Sequence, residues 1–237
     1  MHALQRRFEA EIRDMVEVCH SLAQRQYTTS HGGNVSWRVG PETVLITPTM
    51  LNKGKIRFDD IVVVGMDRKT RFAAAGRRAT GEVPIHLGIF EKRPDVASII
   101  HAHPPWMTAL ALLRPELLAQ PYLPEPIVEV GPVASLDYAQ PLTEALARSF
   151  DPAIQTHNAF LMRNHGAVML SIAGVQRCFE LLEMMEVAAK SIAIAEMLGG
   201  AKRLNRAQIR GLNEPMRIRN LRLPGAPGKV KDLADLF

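Results

Sequence analysis

The sequence predicts a single α/β domain over residues 1–237, and three observations lead there. A chain of 237 residues that is 47% hydrophobic can bury one substantial core. Stretches with helical spacing of apolar residues alternate with short runs that either alternate every second residue or are apolar throughout. One of those runs, Ser98 to Pro105 (SIIHAHPP), ends in two histidines two positions apart, and the rest of the chain is organised around it.

In chain order, Phe8, Ile12, Met15, Val16, Cys19, Leu22 and Ala23 recur at helical spacing with Glu9, Glu11, Arg13 and Asp14 between them. This predicts an amphipathic first helix ending near Tyr27. The stretch TTSHGGNVSWRV follows, its paired glycines marking a tight turn before an alternating strand. Gly40-Pro41-Glu42 turns the chain into a second strand, Val44 to Thr47, which predicts a hairpin. A polar loop carrying Lys53 and Lys55, suited to phosphate or to ordinary surface, leads to an apolar strand from Ile61 to Val64.

ATGEVPIHLGIF then opens a helix, with Thr80 or Gly81 as N-cap and Pro84 in the first turn. Glu82 sits where a helix dipole favours a carboxylate, an effect worth ~0.3–1 kcal/mol. His86, one turn further on, reads as a core or supporting residue rather than a ligand. A helix over Trp106–Leu112 and a Pro-rich surface passage, QPYLPEPIVEVGP, come next, the latter holding Tyr122 and Glu125. A helix over Pro141–Phe150, a short strand Ala159–Met162 and a long buried helix from Gly174 to Leu198, closed by Gly199-Gly200, complete the pattern.

In a strand, residues i and i+2 point to one face, so His101 and His103 aim two imidazoles at one point. A hydrogen-bonded pair is the plainer alternative; metal ligation is favoured because two imidazoles at a strand end already supply half of a tetrahedral shell. His165 also follows an apolar strand at a glycine turn and is the third candidate ligand.

The net charge of +5 is uneven, with nine Lys or Arg between Lys202 and Lys231 against one acid, Glu214. A solvated basic tail over about 202–237 is the expectation, and no aromatic-interleaved basic motif points to nucleic acid. Cys19 and Cys178 lie far apart with no CxxC, which suits a reduced, cytoplasmic protein. No apolar run reaches the ~18 residues of a membrane span.

Taken in order, Gly33-Asn34, Ile46-Thr47-Pro48-Thr49, Glu82, His101-x-His103 and Asn164-His165-Gly166 resemble the class II aldolase/adducin family over about residues 10–200. The resemblance implies a three-layer α/β/α sandwich around a central, largely antiparallel sheet, a homotetramer with sites between subunits, and a divalent metal, most often Zn2+, with Mn2+ as the alternative. It assigns His101, His103 and His165 to the metal, and Glu82 to both metal ligation and general-base catalysis. Asn34, Thr47, Thr49 and Thr80 fall in segments that bind substrate phosphate, with the Gly81 backbone able to contribute. Tyr122 lies near a tyrosine that donates a proton in fuculose-phosphate aldolases.

Two departures concern the phosphate loops. Met50 stands where those aldolases have Gly, and Thr80-Gly81 where they have two serines before the Glu. No Tyr follows Tyr138, so a second, C-terminal tyrosine of those enzymes has no counterpart. The implied activity is retro-aldol cleavage of a ketose 1-phosphate to dihydroxyacetone phosphate and an aldehyde through a metal-stabilised enediolate. A metal-dependent decarboxylase of a keto or aromatic acid is the alternative. An epimerase is disfavoured by Glu82, which is Asp in that branch, and an adducin-like interaction module by retention of all three histidines.

Overall fold

The computed structural model describes residues 2–237. Its elements are α1 (Ala3–Arg7), α2 (Glu9–Gln24), β1 (Asn34–Gly40), β2 (Thr43–Ile46), β3 (Val62–Gly65), β4 (Thr70–Phe72), α3 (Val83–Lys92), β5 (Ser98–Ala102), α4 (Pro105–Leu113), α5 (Pro124–Glu129), β6 (Val133–Leu136), α6 (Glu144–Arg148), β7 (Ala159–Met162), β8 (Gly166–Ser171), α7 (Val175–Met197), α8 (Arg206–Gly211) and α9 (Asn213–Ile218). The strands form one sheet in the order β4-β3-β2-β1-β5-β8-β7-β6. Every neighbouring pair is antiparallel except β6 with β7.

Alternation along the strands gives the sheet two apolar faces. Val35, Ile100, Ala102, Ala167 and Met169 point to one, where α2, α4 and α7 bury Ile12, Met15, Met107, Cys178 and Leu182. Val44, Ile46, Ile99, Val168 and Leu170 point to the other, covered by Ile85, Ile89 and Phe90 of α3 and Leu146 of α6. This is the three-layer α/β/α sandwich, with β5 near the middle of the sheet.

Four local expectations change. The helix after Thr80 begins at Val83 with Glu82 in the N-cap position, because the Thr80 hydroxyl accepts the Glu82 N–H and holds the chain one step short of helix. The 141–150 helix shrinks to α6, capped by the Thr143 hydroxyl on Leu146 N–H, while Leu142 before it takes a left-handed φ of 65°. The Pro-rich passage contains a helix, α5, whose Ile127 and Val128 are buried.

Against those two residues the basic C-terminal segment folds rather than trailing in solvent, burying Ile209, Met216, Leu233 and Ala234. Its arginines meet the chain's own acids: Arg206 with Asp235, Arg210 with Asp232 and Arg219 with Glu129. Among the described residues, no helix is long and apolar enough to cross a membrane.

Candidate metal centre

His101 lies on β5, and His103 is the first residue beyond the last strand residue, Ala102. The His103 N–H donates to Tyr27 O at 2.7 Å, so the chain is tethered where the ladder ends. His165 closes the three-residue connection between β7 and β8. That hairpin is made possible by Asn164 in a left-handed conformation, φ 57°, which Asn tolerates better than most residues. Gly166 follows because nothing larger fits: a Cβ there would lie 2.4 Å from His103 Cδ2 and 2.6 Å from Ala102 O. The sequence pattern His-Gly thus packs one imidazole-bearing loop directly against another.

The three ligand-capable nitrogens lie within 4.8 Å of one another. His101 Nδ1–H donates to Ala167 O at 3.0 Å, which fixes the tautomer and leaves Nε2 as a lone pair. That Nε2 is 3.2 Å from His103 Nε2. Two nitrogens on one tetrahedral ion, each at ~2.0–2.1 Å, would stand ~3.3 Å apart, so the pair has the spacing of shared ligation. His165 Nδ1 is buried without a hydrogen-bond partner. Burial first, then the neighbouring imidazoles, push both His101 and His103 down to about 3. Burial also lowers His165, with Glu82 opposing. Neutral imidazoles at this spacing fit a divalent cation and would leave its charge uncancelled.

Glu82 is buried beside them, with Oε2 3.5 Å from His101 Nε2 and Oε1 3.7 Å from His165 Nε2. Because the rings are neutral these contacts are not ion pairs. Asn34 stands opposite His101 across the β1–β5 ladder, and its Nδ2 donates to Glu82 Oε2 at 2.6 Å. On its other side Asn34 Oδ1 meets His86 Nε2, and His86 Nδ1 lies 2.6 Å from Ser36 Oγ. His86 is fully buried and held down to about 3 by that burial, in keeping with a supporting residue.

The phosphate-loop candidates separate. Asn34 turns to Glu82. Thr47 is fully buried and its hydroxyl accepts the Val35 N–H, and the Thr80 hydroxyl accepts the Glu82 N–H, so both hold backbone in place. Thr49 alone borders an open pocket of about 420 Å³, with Met50, Gly76, Arg77 and Arg78. Gly81 lies under Leu142: a Cβ on it would be 2.7 Å from Leu142 Cδ2. Tyr122 is not brought to the histidines within the chain; it lines a separate pocket with Leu118, Met185, Ile192 and Phe237.

Lys53 corrects the reading of a surface loop. It is 1% exposed, and its Nζ donates to His31 O at 3.2 Å and Leu51 O at 3.1 Å, tying the glycine turn to the threonine loop. Burial lowers its pKa, opposed by Cys19 and Glu82. Sequence reasoning missed this pairing because both acceptors are backbone carbonyls. Ser36 was equally silent, although its two-residue spacing from Asn34 places both on one strand face.

A buried carboxylate beside three clustered imidazoles is a donor set that fits a divalent cation with a proton-transfer group next to it, the arrangement of a metal-assisted enzyme site. The family model described as Class II Aldolase and Adducin N-terminal domain matches residues 13–193, and the chain belongs to that family. The 3-oxo-tetronate 4-phosphate decarboxylase of Haemophilus influenzae is 30% identical over 158 residues, 65% of this chain and 74% of that one. The L-fuculose phosphate aldolase of Methanococcus vannielii is 28% identical over 180 residues, 76% of this chain and 94% of that one. Among solved structures, YgbL of Klebsiella pneumoniae superposes with a TM-score of 0.78 at 26% identity, covering 86% of this chain and 98% of that one. An L-fuculose 1-phosphate aldolase does so at 0.77 and 25%, covering 87% and 95%.

Proposed function

We propose that this lyase decarboxylates a phosphorylated 3-oxo acid of the 3-oxo-tetronate 4-phosphate kind, releasing carbon dioxide and dihydroxyacetone phosphate. A divalent ion, when bound, supplies a Lewis acid for the electron pair left when the carbon–carbon bond breaks. His101, His103 and His165 are the residues that would hold it. Zinc is the first choice for three imidazoles and manganese the second. Loss of carbon dioxide leaves an enediolate whose carbon must take one proton, and Glu82, which regains its proton from solvent after each turnover, is the group placed to deliver it. Thr49, with Arg77 and Arg78 beside it, is the proposed neighbourhood of the phosphate.

Retro-aldol cleavage of a ketose 1-phosphate reaches the same enediolate, but it moves protons at two atoms, the hydroxyl oxygen and the enediolate carbon. The observation that carries decarboxylation is that Glu82, beside the histidines of its own chain, suffices for the single proton this reaction needs, whereas Tyr122 lines a separate pocket with Met185, Ile192 and Phe237. Similarity to the Haemophilus influenzae decarboxylase supports the same reading. The retro-aldol reading is supported by similarity to the L-fuculose phosphate aldolase of Methanococcus vannielii, and it requires Tyr122 to enter from another subunit of a homotetramer.

Metal-loaded protein is incubated with 3-oxo-tetronate 4-phosphate and, separately, with L-fuculose 1-phosphate. The expected result is one carbon dioxide per dihydroxyacetone phosphate from the first substrate. Dihydroxyacetone phosphate and an aldehyde from the second, with no carbon dioxide from the first, would replace decarboxylation by retro-aldol cleavage.

A further inference from the structure

The polar chain behind Glu82 has a direction. Ser36 and His86 are fully buried, Asn34 is 4% exposed and Glu82 5%. Three contacts link them in series: Ser36 Oγ with His86 Nδ1, His86 Nε2 with Asn34 Oδ1, and Asn34 Nδ2 with Glu82 Oε2. With Oε1 as the oxygen that takes or gives the proton, Oε2 only accepts, so Asn34 must turn its NH2 to Glu82 and its oxygen to His86. That oxygen also only accepts, so His86 must carry its proton on Nε2. His86 Nδ1 is then a lone pair, which the Ser36 hydroxyl fills. The opposite polarity would set the Asn34 oxygen against a carboxylate oxygen, two acceptors at hydrogen-bond distance in a buried site.

We propose that His86 is a positioning residue for Glu82: as the Nε2–H tautomer, with its Nδ1 lone pair filled by the Ser36 hydroxyl, it donates to Asn34 Oδ1 and so holds the Asn34 amide orientation that anchors Glu82 Oε2. Oε1 is left facing His165 as the oxygen that exchanges a proton. The hydrogen bonds of the His86 ring run to Ser36 and Asn34, and Asn34 is its hydrogen-bonded link to Glu82. The catalytic consequence rests on the lyase reading above; the tautomer does not.

Neutron diffraction from crystals of the metal-loaded protein is expected to show deuterium on His86 Nε2 and none on Nδ1. Deuterium on Nδ1 would overturn the proposal. For catalysis, His86→Leu removes the donor, whereas His86→Gln returns an amide N–H close to where Nε2 stood. The leucine variant should lose about 10–100-fold in kcat, the scale seen for partners that orient ligands from outside the site, with KM changed less than about twofold. The glutamine variant should recover most of that loss. Equal kcat in the two variants would mean that His86 only fills space.

Should His86→Leu fail to fold, His86→Met, unbranched and of similar size, removes the donor in its place. It is expected to lower kcat about 10–100-fold, again at near-constant KM, and kcat equal to that of His86→Gln would overturn the proposal. If neither phosphorylated substrate turns over, the lyase reading fails while the neutron result still decides the tautomer.

Discussion

Asn34 on β1 faces His101 across the β1–β5 ladder, and the amide of this residue reaches Glu82 Oε2 at 2.6 Å. One rung of the sheet therefore carries both a candidate metal ligand and the group that holds the candidate acid. Two further groups of the site come from elsewhere, His165 from the β7–β8 connection and Glu82 from the start of α3.

Metal binding should depend on every imidazole of the cluster. His101→Ala leaves two of three ligands, and its affinity for Zn2+ is expected to fall by more than the ~10–100-fold that loss of an outer partner costs. Elemental analysis after dialysis reads this directly. Metal content equal to wild type would place the ion elsewhere.

Proton transfer should depend on Glu82. Glu82→Gln keeps the size and one oxygen acceptor for Asn34 but removes the charge and basicity. We expect kcat to fall about 10²–10⁴-fold, roughly 3–5 kcal/mol, with the three histidines retaining the metal. Turnover near wild type in metal-loaded Glu82→Gln would exclude this carboxylate as the proton carrier.

Gly166 should tolerate no side chain. The Cβ of Gly166→Ala would meet His103 Cδ2 at 2.4 Å and the Ala102 carbonyl oxygen at 2.6 Å, and the second of these belongs to backbone within the sheet. A loss of about 1–3 kcal/mol in stability is expected, together with weaker metal binding because the His103 ring is displaced. Denaturant midpoints and metal titration test the two effects separately; wild-type values in both would show that the loop yields freely.

Stability of the metal-free protein should fall with acid. His86, His101 and His103 have folded pKa values of about 3 against an ordinary 6.5. Between those values the unfolded chain binds protons that the folded chain does not, so the stability they contribute is complete above pH 6.5 and declines as pH drops toward 3. The slope is at most about 1.4 kcal/mol per pH unit for each histidine. Denaturation in chelator at pH 7.5, 6 and 5 measures it, and His86→Gln should remove one histidine's share. Stability independent of pH across that window would contradict the burial of neutral rings.

The sequence by itself determined an α/β domain and the three histidines as candidate ligands, and its resemblance to the class II aldolase/adducin family added the sandwich and the candidate role of Glu82. The histidine signals are local: strand parity puts His101 and His103 on one face, and His-Gly marks a strand end. It also identified His86 as a supporting residue, because a separation of four places it on the helix face of Glu82.

Only the tertiary structure decided what each polar group meets. Asn34 and Lys53 read as loop residues facing an anion, yet one is turned to Glu82 and the other is buried against two backbone carbonyls. The basic C-terminal segment read as solvated, yet it folds onto α5, whose buried face is hidden in the sequence by three prolines around Ile127 and Val128. The physical reason is the same in each case. Periodicity reports which face of an element is buried, whereas the partners His31 for Lys53, Glu82 for Asn34 and Glu129 for Arg219 stand 22, 48 and 90 positions away, where no local pattern encodes them.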